Sequence, residues 1–273
     1  MRIARFSLPD SAADAGAVRF GLVEGDPEQP EAMVIVELEG HPFTPERRTT
    51  GRAWPLADVR LLAPVLPSKV VAVGRNYADH AKELGNEVPA VPLTFLKPST
   101  SVIGPNETIA YPVFSQDVQH EAELAVVIGK PGRGIKKSQA FEHVFGYTIV
   151  NDFTARDLQK LHRQWFLGKS LDGFCPMGPY VTTFDEVDAR NLDVKCWVNG
   201  ELRQDANTSQ LIFDIPTLIE TISAGMALLP GDIIATGTPA GVGIGYTPPR
   251  FVRSGDVIRI EIQGLGSLEN TVA

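Results

Sequence analysis

Five consecutive apolar residues, Leu124 to Ile128, follow directly on the carboxylates of Glu121 and Glu123. An unbroken, β-branched run of this length reads as a strand covered on both faces, so the chain must lay protein on each side of it. Strand side chains alternate, which puts Glu121 and Glu123 on one face. Two carboxylates at the mouth of a covered strand repel each other, and either a proton or a cation must relieve them. Asp152 closes a second strand-like segment, Val144 to Val150, and is placed to complete a three-oxygen face. Oxygen-only ligation suits a hard divalent ion, Mg²⁺ or Mn²⁺. Glu-x-Glu pairs also occur on ordinary solvated strand faces, and the pair alone does not separate the two readings. His120 projects to the opposite face and reads as a packing or supporting residue rather than a ligand.

The rest of the chain is strand-rich. Arg2–Phe6, Val18–Val23 and Met33–Leu38 alternate as short strands with turns at Asp10–Gly16 and Gly25–Pro30, and His41–Pro55 reads as a linker. Further strands are expected at Val70–Val73, Leu93–Leu96, Tyr147–Val150, Val194–Val198, Ile233–Thr236 and Val257–Ile262. Helices are expected at Asn76–Leu84, Lys136–Glu142, Ala155–His162 and Ser209–Ala224, the last kinked or started late by Pro216. No βαβ rhythm emerges, which argues against a doubly wound parallel sheet and for an α+β fold with a curved or barrel-like sheet. A net charge of −8 weighs against nucleic acid and anionic membranes as partners. Two cysteines make no disulfide framework, no apolar stretch is long enough to span a bilayer, and the N-terminus lacks a signal-peptide core. A cytoplasmic protein is the expectation.

Three further segments carry polar chemistry. On a helix, His80 and Glu83 share a face, the spacing of a general base with an orienting carboxylate or of an ordinary surface pair. Gly74 and Gly85 flank them and would let the helix move as a lid. Lys169 is the only cation in a glycine- and proline-rich stretch, residues 167–180, that reads as a loop. The Ala-Thr-Gly-Thr-Pro-Ala-Gly-Val-Gly run at 235–243 could cradle a carboxylate with its backbone N–H groups and Thr238.

Taken in order, GRNYADH, HEAELAVVIG, NDFTARD, LGKSLDGFCPMGP, NTSQLIFDIPTLI and ATGTPAGVG resemble the fumarylacetoacetate hydrolase superfamily over residues 68 to 273. The resemblance implies a mixed β-roll catalytic domain at 68–273 beside a small β-rich domain at 1–60, assembled as a homodimer. It implies that Glu121, Glu123 and Asp152 ligate Mg²⁺ or Mn²⁺, that Lys169 is the active-site lysine, and that His80 and Glu83 form a dyad on a lid. Arg75, Gln159 and Thr238 would contact the oxalate-like end of a small 2-oxo acid. The expected activity is metal-dependent C–C hydrolysis of 2,4-dioxo acids through a stabilised pyruvate enolate. Oxaloacetate decarboxylation, isomerisation of 5-carboxymethyl-2-hydroxymuconate, and non-catalytic dicarboxylate binding stand as alternatives.

Overall fold

The computed structural model describes residues 1–8, 16–26, 29–44 and 46–273, so most of the expected turn at 10–16 and part of that at 25–30 lie outside it. One large sheet runs Thr49–Pro55, Val34–Leu38, Val18–Glu24, Arg2–Ser7, Cys175–Thr183, Val144–Asn151, Ala122–Ile128, Ile233–Ala235, Val70–Gly74, Leu93–Lys97. Most neighbours are antiparallel, but Ile233–Ala235 and Val70–Gly74 run parallel, so the sheet is mixed. A second, antiparallel sheet joins Glu201–Asn207, Asp193–Val198, Val257–Ile262 and Gly266–Thr271. With few, short helices this is a sheet-dominated α+β fold.

The strand Ala122–Ile128 is buried along its whole length. Leu124, Val126 and Ile128 pack with Val194, Cys196, Ile258 and Ile260 of the second sheet. The alternate residues Ala125 and Val127 pack with Val70, Ala72, Val150 and Met177 on the other side. Glu121 and Glu123 continue that second face past the end of the apolar run.

Three expectations change. His41–Pro55 is not a linker throughout, because Thr49–Pro55 pairs with Val34–Leu38 as an edge strand, with Val36 opposite Ala53. Almost all of it is exposed, which is why no alternation of polar and apolar residues marks it. Arg2–Ser7 then pairs with Cys175–Thr183, Ile3 opposite Val181, so the N-terminal strands extend the main sheet. Cys175–Thr183, inside and beyond the expected loop, is a fully buried strand, while Phe166–Lys169 is a short helix. Pro176 and Pro179 disguised the strand, since proline removes a ladder donor and is uncommon in sheet interiors. Finally, Ser209 does not start a helix: Asn207 caps a 3-10 turn, and the helix Ile215–Gly225 begins later. Its N-cap is Asp214, which accepts from the Thr217 N–H at 2.9 Å, and Pro216 occupies the first turn, where its missing N–H costs nothing. Ile215, Leu218, Ile219 and Ile222 bury one face of it.

We label the four α-helices α1 (Ala78–Glu83), α2 (Arg156–His162), α3 (Phe166–Lys169) and α4 (Ile215–Gly225). Among the described residues no helix is long and apolar enough to cross a membrane. Cys175 and Cys196 are buried free thiols.

Candidate active site

Strand register builds the acidic cluster. Ala122 lies opposite Asn151 and Glu123 opposite Val150, so one step further along Glu121 meets Asp152. The Asp152 N–H donates to the Glu121 carbonyl at 2.9 Å, which extends the ladder by that step. Residues directly opposite on antiparallel strands point to the same face. Glu121, Glu123 and Asp152 therefore converge, all buried, with one oxygen from each within 4.8 Å of the others.

Three buried cations meet them. Lys169 on α3 donates at 2.6 Å to both Glu121 Oε2 and Asp152 Oδ2. Lys97, at the end of Leu93–Lys97, donates to Asp152 Oδ1 at 2.6 Å and also to the Lys169 carbonyl. Arg156, opening α2, donates to Glu121 Oε1 and, at 2.8 Å, to Gln159 Oε1. Three carboxylates thus face three cations, but unevenly. Among the described residues Glu123 accepts only the Gly237 N–H, at 2.8 Å. Gly237 has φ +104°, and a Cβ there would sit 2.7 Å from that of Asn76, so the close approach that delivers this N–H needs glycine.

The electrostatics follow the contacts. Burial would raise Glu121, but Lys169, Arg156 and His80 outweigh it and hold the carboxyl well below the usual range. Burial, Asp152 and Glu121 push Glu123 well above that range, and Lys169 and the Gly237 N–H only partly offset them. A cation shared by the three groups would relieve Glu123, and a buried set of carboxylate oxygens is the donor set that Mg²⁺ or Mn²⁺ takes. The residues present fit such an ion.

A cavity of about 410 Å³ opens onto the cluster. Of the nine residues singled out from the sequence, Arg75, His80, Glu83, Glu121, Glu123, Gln159, Lys169 and Thr238 line it, while Asp152 is buried against Lys97 and Lys169. His80 and Glu83 pair on α1, Nδ1 to Oε2 at 3.1 Å. The other Glu83 oxygen accepts the Gly241 N–H at 2.8 Å, which docks α1 onto the 235–243 loop. The Thr238 hydroxyl donates to the Ala122 carbonyl at 3.0 Å and accepts from Gln204 at 2.8 Å. The Arg75 guanidinium lies 5.6 Å from the centroid of Trp165.

His120 is fully buried, and burial, with Arg203 adding to it, pushes it down to about 4 against a smaller opposing effect of the Gly241 backbone and Glu121. It is a packing residue. Lys97 and Arg156 were not foreseen. The only trace of Lys97 was a charge ending the strand-like run Leu-Thr-Phe-Leu, and Arg156 sits three residues, about one helical turn, before Gln159.

The chain matches the family described as Fumarylacetoacetate (FAA) hydrolase C-terminal over residues 69–273, and the one described as Rv2993c-like, N-terminal over residues 1–64. Protein Rv2993c of Mycobacterium tuberculosis is 47% identical over 274 residues, covering 100% of this chain and 98% of that protein. Oxaloacetate tautomerase YisK of Bacillus subtilis is 51% identical over 225 residues, covering 80% of this chain and 75% of the relative. The crystal structure of 2-hydroxyhepta-2,4-diene-1,7-dioate isomerase from Mycobacterium marinum superposes with a TM-score of 0.88 at 46% identity, covering 100% of this chain and 98% of that one.

Proposed function

The chain belongs to the fumarylacetoacetate hydrolase family, and we propose that it is an enzyme that moves a proton at C3 of a small 2-oxo acid, interconverting enol and keto forms. One observation carries this reading: the His80–Glu83 pair lines the same cavity as Glu121, Glu123 and Lys169. Mg²⁺ or Mn²⁺ held by Glu121, Glu123 and Asp152 would supply the positive charge that makes C3 of a 2-oxo acid acidic. Glu83, on Nδ1, fixes the proton there and leaves Nε2 of His80 to carry a proton from C3 to the C2 oxygen as the enol forms, and from that oxygen back to C3 as the ketone forms. The Lys169 ammonium adds charge beside the C2 oxygen, where negative charge develops. Arg75, Gln159 and Thr238 shape the wall against which the oxalate-like end is held. A relative named oxaloacetate tautomerase and a structural neighbour named 2-hydroxyhepta-2,4-diene-1,7-dioate isomerase both fit proton transfer of this kind.

The hydrolysis of 2,4-dioxo acids expected from the sequence employs the same dyad on a water that attacks C4, and decarboxylation of oxaloacetate needs no such base. One set of assays separates the three. Enol-oxaloacetate is followed by ultraviolet absorbance with Mg²⁺ or Mn²⁺, while acetylpyruvate and oxaloacetate are tested for release of pyruvate and CO₂. The expected result is catalysed loss of the enol, abolished by chelation and reduced about 10²-fold or more in His80→Ala. Full activity after chelation, or cleavage of acetylpyruvate without tautomerase activity, rejects the proposal. A homodimer is part of the same reading, and sedimentation at two concentrations tests it.

A further inference from the structure

Four non-glycine residues of the described chain have clearly positive φ: Arg75, Asn106, Arg163 and Asn199. Asparagine tolerates that region, whereas a long side chain enters it at a cost. The two that are not asparagine are both arginines, and both line the cavity. Arg163 is the more unusual. With φ 56° and ψ −35° it closes the C-terminal end of α2, and the Gln164 N–H donates to the His162 carbonyl at 2.5 Å across it. This is a three-residue turn of the rare, strained, positive-φ kind. Among the described residues nothing compensates, because none forms a hydrogen bond or ion pair with the Arg163 side chain. Arg75, by contrast, stacks on Trp165.

The placement of Arg163 follows from the helix. Arg156, Gln159 and Lys160 fall at i, i+3 and i+4 on α2, Arg163 follows directly on its last residue, and all four line the cavity. Arg156 is buried on Glu121 at the floor, and Arg163 is exposed about 10 Å further along the axis. At the floor Lys97, Lys169 and Arg156 are already engaged by the carboxylates of Glu121 and Asp152. The positive charge of Arg163 has no such counterpart.

We propose that Arg163 is a specificity-determining residue that binds a second carboxylate, at the end of the substrate away from the 2-oxo group. The substrates are then 2-oxo dicarboxylates rather than 2-oxo acids with an uncharged tail. This rests on the function proposed for the same site. It also explains why a strained arginine stands where glycine would be the relaxed choice: Arg163 lines the cavity, and the strain is a cost that a bound anion offsets.

Oxaloacetate and its 4-amide, 2-oxosuccinamate, have the same length and differ in the charge of the distal end. With Mg²⁺ present, the ratio of their kcat/KM values should favour oxaloacetate in the wild type. In Arg163→Gln it should fall by about 10- to 100-fold, through KM, as expected for loss of a hydrogen bond between charged groups. Arg163→Lys should recover part of it. Calorimetric binding of oxalate, which has no distal group, should be the same in the wild type and Arg163→Gln. Arg163→Gly should lose the discrimination while raising Tm by about 2–4 °C, since glycine relieves the turn. An unchanged ratio in Arg163→Gln, or equal losses on both substrates, overturns the assignment of Arg163 while oxalate binding leaves the proposed function standing. A wild type that binds neither oxalate nor oxaloacetate overturns both.

Discussion

Replacing Gly245 with alanine should disable the dyad without touching it. Gly245 lies in the 3-10 turn Gly243–Gly245 with an ordinary backbone conformation, so alanine adds no strain of its own. A Cβ built there falls 1.7 Å from Glu83 Oε1 and 2.3 Å from its Cδ, where ordinary contact begins at about 3.4 Å. The carboxylate must therefore withdraw by well over an ångström. The two hydrogen bonds it accepts, from His80 Nδ1 at 3.1 Å and from the Gly241 N–H at 2.8 Å, cannot both survive a shift of that size. His80 is buried and loses the group that fixes its tautomer. Loss of an orienting partner costs about 10- to 100-fold in rate, and leaving buried polar groups unpaired costs about 1–3 kcal/mol. The assay is kcat for enol-oxaloacetate alongside Mn²⁺ affinity by calorimetry and Tm. The expected variant binds Mn²⁺ as the wild type does, melts a few degrees lower, and turns over at least tenfold more slowly. A Gly245→Ala protein with wild-type kcat would falsify the role given to Glu83, and a variant that lost Mn²⁺ affinity in proportion to activity would show that the effect reaches the acidic cluster instead.

The acidic cluster itself yields three more tests. Glu123→Gln keeps an acceptor for the Gly237 N–H and removes the charge that Asp152 and Glu121 oppose, so metal-free Tm at pH 8 should rise while the Tm gain on adding Mn²⁺ disappears; a lower metal-free Tm contradicts the repulsion. Because the folded Glu123 carboxyl titrates well above 4.5, the native state holds a proton that the unfolded chain releases, and metal-free stability should fall as pH rises from about 4.5 towards the folded value. Mn²⁺ competes with that proton, so its apparent affinity should strengthen across the same window, by up to about tenfold per pH unit; calorimetry at pH 6, 7 and 8 that shows a flat affinity refutes this. Lys97→Met leaves Asp152 Oδ1 without its buried ammonium and should cost about 3–5 kcal/mol of stability, read as a large loss of Tm; a near-neutral change would mean that Asp152 is neutralised some other way.

Much of the site was legible before any coordinates. Alternation along a strand is a local property of the backbone, so Glu121 and Glu123 had to share a face, and an i,i+3 spacing sufficed to bring His80 to Glu83. Pro216 gave a kink or a late start for the last helix, and the structure has the late start, since the constraint acts within one turn. Where local rules were weak, the reading slipped. Thr49–Pro55 is a strand because Val34–Leu38 pairs with it, and Cys175–Thr183 because strands on either side supply its hydrogen bonds despite two prolines.

What only the tertiary structure decided is the company those residues keep. The register of Ala122 against Asn151 puts Asp152 beside Glu121. The fold brings Lys97 and Arg156, remote from each other in the chain, onto two of the three carboxylates and leaves Glu123 with a single backbone N–H. Periodicity is written residue by residue into the chain, whereas strand register and the matching of buried charges depend on how distant segments pack, and no stretch of sequence contains that information alone.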